Sequence, residues 1–155
     1  MKVTLQKAVE SDCIKIHTMQ IRAFASLLKK YQDYDSNPAT EPNERILQSF
    51  SQPFTDYYFI CLNGDEIGAI RICNFGELCR VSPIFILPEY QGFGYAQKAM
   101  LLAEQQYPDS KRWELDTILQ EEKLCHLYEK LGYQKTGKYR NVKAGMDLVF
   151  YEKII

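Results

Sequence analysis

The residues best suited by type and spacing to do chemistry lie in Ile84-Phe85-Ile86-Leu87-Pro88-Glu89-Tyr90-Gln91-Gly92-Phe93-Gly94-Tyr95-Ala96, which reads as a buried strand, a glycine turn and a helix start. Glycines at 92 and 94 and the small Ala96 let the backbone come close to a ligand. The N–H groups of the helix's first turn have no intrahelical acceptor and carry the positive end of the helix dipole, so the turn is suited to a phosphate. Such a cradle is made of backbone and needs no surplus of lysine. It is not a dinucleotide fingerprint, because Gly-x-Gly-x-x-Gly is absent and no acidic residue about 20 positions on could read a ribose. Nor is it a P-loop, for want of Gly-Lys-Ser/Thr.

Other reactive side chains are less organised. Glu114 and Asp116 alternate around Leu115, so on a strand they share one face and could meet a ligand or simply face solvent. Five cysteines (Cys13, Cys61, Cys73, Cys79, Cys125) are scattered, odd in number and without a Cys-x-x-Cys pair, which fits neither a disulfide framework nor a zinc site. They read as reduced thiols in a cytoplasm, and no metal is expected. Cys79 and Cys125 could in principle carry a covalent intermediate, but neither has a histidine at a useful spacing; His126, next to Cys125, would point elsewhere on a helix. His17 falls within an apolar stripe and reads as a packed residue.

Composition narrows the classes. With 155 residues, 46% hydrophobic and 25% charged, the chain can bury one core and is expected to form a single domain over residues 1–155. Nineteen basic against twenty acidic residues leave a net charge of −1, which argues against a nucleic-acid partner. The start, Met1-Lys2-Val3-Thr4-Leu5-Gln6, lacks the apolar run of a signal peptide, and no stretch approaches a membrane span of about 20 apolar residues. The expectation is a cytoplasmic protein with no membrane partner.

The elements that must position the glycine turn follow from periodicity. Val3–Lys7 predicts a strand, and Ile14, His17, Ile21, Phe24 and Leu28 predict the buried stripe of a first helix. Lys29–Glu44, rich in Pro, Asn, Asp and Tyr, predicts an exposed loop before a short helix at Glu44–Phe50. Tyr57–Leu62 and Glu66–Cys73 flank Asn63-Gly64-Asp65, a hairpin signal; a turn at Asn74–Glu77 leads to a long strand, Leu78–Leu87. A helix from about Gly92 to Tyr107, a strand at Trp113–Ile118, a helix marked by Leu124, Leu127, Tyr128 and Leu131 and stopped by Gly132, and strands at about Tyr133–Tyr139 and Met146–Glu152 complete the chain. The predicted order is β-α-α-β-β-β-α-β-α-β-β, with parallel crossovers around the last two helices inside a mostly antiparallel sheet.

The glycine turn resembles the acyl-CoA-binding motif of the GNAT superfamily of N-acetyltransferases, Gln/Arg-x-x-Gly-x-Gly/Ala, matched by Gln91, Gly94 and Ala96 with Pro88-Glu89-Tyr90 ahead of it. Lys7-Ala8-Val9-Glu10-Ser11-Asp12 is similar to the family's first strand–helix junction, and Leu127-Tyr128-Glu129-Lys130-Leu131-Gly132-Tyr133 to its late helix. The resemblance implies an α/β (α+β) GNAT-like fold, a mixed and mostly antiparallel sheet of about seven strands with about four helices, splayed at the CoA site.

It also implies roles. Acetyl-CoA would be the acyl donor, its diphosphate on the backbone of Gln91, Gly92, Phe93, Gly94, Tyr95 and Ala96 and its pantetheine arm beside Phe85, Ile86 and Leu87, in a gap between the strand ending at Leu87 and strand Trp113–Ile118. The N–H of Ile84 would stabilise the oxyanion formed as an amine attacks the thioester. Tyr128 would protonate the departing thiolate, although the same residue also reads as a core aromatic at helical spacing. Where some members carry a glutamate base, this chain has Arg80, which cannot accept a proton; Glu77, Glu114 or a water chain could substitute. The acceptor, a primary amine of a small molecule or peptide, would meet the Tyr31–Glu41 loop, with Tyr31, Tyr34 and Glu114 as contacts and Asp33, Asp35 and Glu41 favouring a cation. The alternative is an acyl-CoA-binding regulatory module that has lost transfer. The resemblance leaves room for a homodimer.

Overall fold

The computed structural model describes residues 2–155. Its elements are β1 (Val3–Lys7), α1 (Cys13–Tyr31), α2 (Asn43–Phe50), β2 (Thr55–Leu62), β3 (Asp65–Asn74), β4 (Leu78–Ile86), α3 (Tyr95–Gln106), β5 (Arg112–Ile118), α4 (Glu122–Lys130), β6 (Gln134–Lys143) and β7 (Met146–Ile154). One seven-stranded sheet runs β1-β2-β3-β4-β5-β7-β6. Every neighbouring pair is antiparallel except β4 and β5, which the crossover through α3 makes parallel. The fold is therefore the mixed, mostly antiparallel sheet with four α-helices that the sequence pattern predicts.

Alternation along the strands builds a core on each face of the sheet. Tyr58, Ile60, Ile70, Ile72, Val81, Trp113 and Leu115 pack with Ala99, Met100 and Ala103 of α3 and with Tyr128 of α4. Tyr57, Phe59, Cys61, Ala69 and Phe85, on the other face, pack with Cys13, Ile16, Met19 and Ala23 of α1 and Ile46 of α2. The hairpin between β2 and β3 turns at Asn63 and Gly64, both at positive φ as the Asn-Gly pair predicts.

The predicted stripe of α1 is rotated by one residue, about 100°. Ile14 and Ile21 are exposed, at 71% and 40%, whereas Cys13, Ile16, Met19, Gln20 and Ala23 face the sheet. The polar Gln20 takes a core position because its amide donates to the Pro38 carbonyl at 2.8 Å and to Glu41 Oε1 at 2.9 Å, tying α1 to the segment that follows it. That segment is more ordered than an exposed loop. Asp33 is buried and accepts from Asn37 Nδ2 at 3.1 Å, and the Asn37 side chain in turn caps a 3-10 turn at Pro38–Thr40 by accepting from the Ala39 N–H. His17 is half-buried with its Nε2 2.9 Å from the Glu41 carbonyl oxygen, a packed residue as expected. Among the described residues no helix is long and apolar enough to cross a membrane.

Candidate functional site

β4 and β5 pair only where Leu78, Cys79 and Arg80 meet Arg112, Trp113 and Glu114. Beyond Arg80 the two strands diverge, and a register irregularity in the β3–β4 ladder, opposite Ser82 and Pro83, re-aims the end of β4. The Leu87 N–H donates to the Ile67 carbonyl at 2.8 Å, on the β3 side. Backbone groups alternate edges along a strand, so the N–H groups of Ile84 and Ile86 point the other way, into the gap between β4 and β5. The side chains there are not ligand surface: Phe85 meets Phe24 edge-on at 5.9 Å, and Ile86 and Leu87 are buried. Phe85, Ile86 and Leu87 thus offer mainly backbone to a ligand, and Ile84 is half-buried.

The gap leads to the glycine turn. After a 3-10 turn at Pro88–Tyr90, Gln91 folds back so that its Nε2 donates to the Ile86 carbonyl at 2.8 Å. Gly92 and Gly94 then adopt φ of +85° and +82°, and α3 begins at Tyr95, three residues later than the pattern predicts, with Gly94 as its N-cap. The first intrahelical bond of α3 runs from the Lys98 N–H to the Gly94 carbonyl at 3.2 Å. The preceding N–H groups of the first turn therefore face outward, with no side-chain cap at Gly94. A Cβ built on Gly92 or Gly94 meets nothing within 4 Å, so the cradle opens on free space. Phe93 stands out at 64% exposure and stacks on Tyr95 at 5.7 Å. Two open glycines, a helix start and a strand edge with outward N–H groups fit a diphosphate joined to an extended amide chain.

Tyr128 sits on α4 at 6% exposure, its ring against Tyr133 at 6.1 Å and Tyr151 at 6.4 Å. Its hydroxyl donates to no other described residue. Burial, then the carboxylate of Asp116, then Cys125 push the phenol well above its usual range, so it stays protonated. Asp116 forms an ion pair with Arg80 across the point where β4 and β5 part. Cys79 is fully buried and its thiol is raised by burial, which disfavours a thiolate nucleophile.

Helix α1 crosses the open end of the gap and is anchored on both limbs. Arg22 pairs with Glu89, just after β4, at 2.8 Å. Lys30 Nζ and Tyr31 Oη both donate to Glu121, just after β5, at 2.6 and 2.5 Å. Burial alone would raise the Glu121 carboxyl, but these two donors outweigh it and hold the group below its ordinary value. Tyr31 is thus engaged in this brace, and Glu114 pairs with Arg112 at 2.6 Å near the start of β5. Of the three expected acceptor contacts, Tyr34 alone lines the cavity of about 380 Å³ beside the end of β4. That cavity is walled by the segment from Tyr34 to Pro42, by Arg45 of α2, by Arg71 of β3 and by Ser82 and Pro83. Arg71 Nε donates to the Ser82 carbonyl. Arg45, Arg71 and Glu121 carry no local sequence signal of these positions; topology brings them there.

Comparison with known proteins agrees with this geometry. The model of the acetyltransferase (GNAT) family matches residues 21–133. The chain is 29% identical over 130 residues to the uncharacterized protein YrkN of Bacillus subtilis strain 168, covering 82% of this chain and 70% of that protein. Among solved structures, the ribosomal-protein-S18-alanine N-acetyltransferase of Escherichia coli superimposes with a TM-score of 0.78 at 15% identity, over 99% of this chain and 94% of that one. The PaiA N-acetyltransferase of Thermoplasma acidophilum, solved in complex with coenzyme A, gives a TM-score of 0.74 at 15% identity with the whole of both chains covered. With the family match spanning most of its length and the splayed sheet and glycine cradle that go with it, the chain belongs to the GNAT acetyltransferase family.

Proposed function

We propose that the protein transfers an acetyl group from acetyl-CoA to a primary amine by direct attack in a ternary complex. The observation that carries this reading is the continuity between two backbone features: the outward N–H groups of Ile84 and Ile86 in the β4–β5 gap, and the open cradle of Gly92 and Gly94 at the gap's end. Bound acetyl-CoA supplies an activated thioester. The cradle N–H groups, with the dipole of α3, hold the diphosphate. The Ile86 edge pairs with the amides of the extended arm, which sets the thioester near Ile84.

The Ile84 N–H then stabilises negative charge developing on the carbonyl oxygen; a preorganised donor of this kind is worth about 3–4 kcal/mol. Tyr128, kept neutral by its burial, gives its proton to the departing thiolate, and the proton that the acylated nitrogen sheds passes through solvent and restores the phenol. Arg80 is committed to Asp116 and offers no base, so the acceptor amine enters as its free base. Arg80 also favours a second reading, a CoA-binding module without turnover.

Thiol release from acetyl-CoA over a panel of amines, alongside CoA-dependent protection against heat, separates the two. Turnover with intersecting initial-rate patterns supports transfer; protection with no turnover on any amine supports the binding module. Absence of any protection by millimolar CoA would overturn both.

A further inference from the structure

The cavity between the Tyr34–Pro42 segment and the end of β4 carries charges that the transfer chemistry does not use. Arg22, Arg80 and Arg112 near the site each have a carboxylate partner. Arg45 and Arg71, which line the cavity, have none among the described residues. Arg71 is half-buried on β3, and a guanidinium withdrawn from water without a counter-ion is unfavourable unless an anion comes to it. Its orientation is fixed: Nε donates to the Ser82 carbonyl, leaving the remaining donors of a planar fork for a ligand. On the loop wall stand the carboxylates of Asp35 and Glu41. The lining is therefore mixed in sign, with two cations and two anions.

Resting on the transferase reading above, we infer that the acceptor is a free amino acid, its carboxylate held by Arg71 with help from Arg45 and its amine presented at Ile84. Spacing supports this. Ser82, to which Arg71 is bonded, lies two residues before Ile84, a distance of at most about 7 Å along the chain. An acceptor whose amine and anion lie close together, as in an α-amino acid, suits two points this near each other. A volume of about 380 Å³ suits a metabolite rather than a folded protein. The acids on the loop wall repel a dianionic phosphate more than a carboxylate, and they can receive a polar or cationic side chain. The loop acids alone would favour a purely cationic amine; the arginines contributed by β3 and α2 add a site for its carboxylate.

The test uses matched pairs in which only the carboxylate differs: lysine and cadaverine, histidine and histamine, tyrosine and tyramine, phenylalanine and phenethylamine. The acid member of at least one pair is expected to show a kcat/KM about 10- to 100-fold higher, as a charge-assisted bidentate contact provides. Arg71→Gln should bring that ratio to within about threefold of unity, and Arg71→Lys should restore part of it. A ratio taken on one preparation is insensitive to the fraction folded, and Arg45→Gln, at an exposed position, gives a second variant that should lower the ratio without touching the β4 backbone. Equal or better use of the decarboxylated amines overturns the inference, as does a ratio that survives both substitutions. CoA protection with no acetylation of any free amino acid also overturns it while leaving CoA binding intact. Loss of CoA binding itself instead removes the transferase reading on which it stands.

Discussion

Gly94→Ala should separate the stability of the fold from the grip of the cradle. Gly94 has φ +82° and a Cβ there meets nothing within 4 Å, so alanine causes no clash and the cost is backbone strain. That strain is about 1–2 kcal/mol, offset by about 0.4–1 kcal/mol from the reduced freedom of the unfolded chain, which leaves roughly 1 kcal/mol. For a domain of this size the unliganded Tm should fall by about 2–4 °C. Gly64→Ala is the matched control, at φ +91° with equally empty surroundings but in the β2–β3 hairpin. Both variants should lose similar stability without ligand. With CoA they should part. A methyl group standing in the cradle displaces a diphosphate from one or more backbone N–H groups, and each such bond to an anion is worth about 1.5–3 kcal/mol, at least tenfold in Kd. A tenfold weaker Kd removes about 1.4 kcal/mol of protection at saturating ligand, or about 3–6 °C of the CoA-induced shift. Thermal melts at a fixed millimolar CoA concentration, with calorimetry for Kd, read both effects. Equal CoA shifts in Gly94→Ala and Gly64→Ala would refute the cradle.

Three further outcomes follow from the same geometry. Tyr128→Phe should lower kcat by about 10²-fold with CoA affinity nearly unchanged, measured by initial rates and calorimetry; an unchanged kcat removes the phenol from proton transfer. The pH profile of kcat/KM should rise with the fraction of free amine, and the falling limb that an ordinary phenol would impose near about pH 10 should be absent. The sign is fixed: an acid works while protonated, and burial moves its loss of the proton to higher pH. A falling limb that Tyr128→Phe abolishes would contradict the burial argument. Gly68→Ala should destabilise the protein by several kcal/mol, because its Cβ would lie 2.1 Å from the Phe85 carbonyl oxygen, backbone that cannot give way without moving β4. Denaturant midpoints check this, and a loss below about 1 kcal/mol would mean the β3–β4 contact is soft.

The cradle was legible in the sequence because everything that makes it is local: Gln91 through Ala96 is one turn, and its glycines and following helix are read from neighbours in the chain. The hairpin at Asn63 and the stop at Gly132 are local in the same sense. What escaped is long-range. The buried face of α1 lies one residue away from the apolar stripe because Gln20 is polar and Ala23 small; Gln20 is internal only because Pro38 and Glu41 accept from it. Asp33 looks like a loop charge until Asn37 turns back on it. The ion pair of Arg80 with Asp116 and the approach of Arg71 to Ser82 depend on which strands become neighbours, and residue type does not encode that at a distance of 36 or 11 positions.

The double anchorage of α1 bears on how the gap is kept. Between Arg22, fastened to the β4 limb, and Lys30, fastened to the β5 limb, the helix rises about 12 Å, and a hydrogen-bonded helix neither stretches nor shortens. It lies across the wedge as a crossbeam whose two fastenings are partly exposed ion pairs, each worth about 1 kcal/mol or less. A cleft spanned in this way is biased toward its open width before a ligand arrives, which lessens the ordering that an incoming thioester arm would otherwise have to supply.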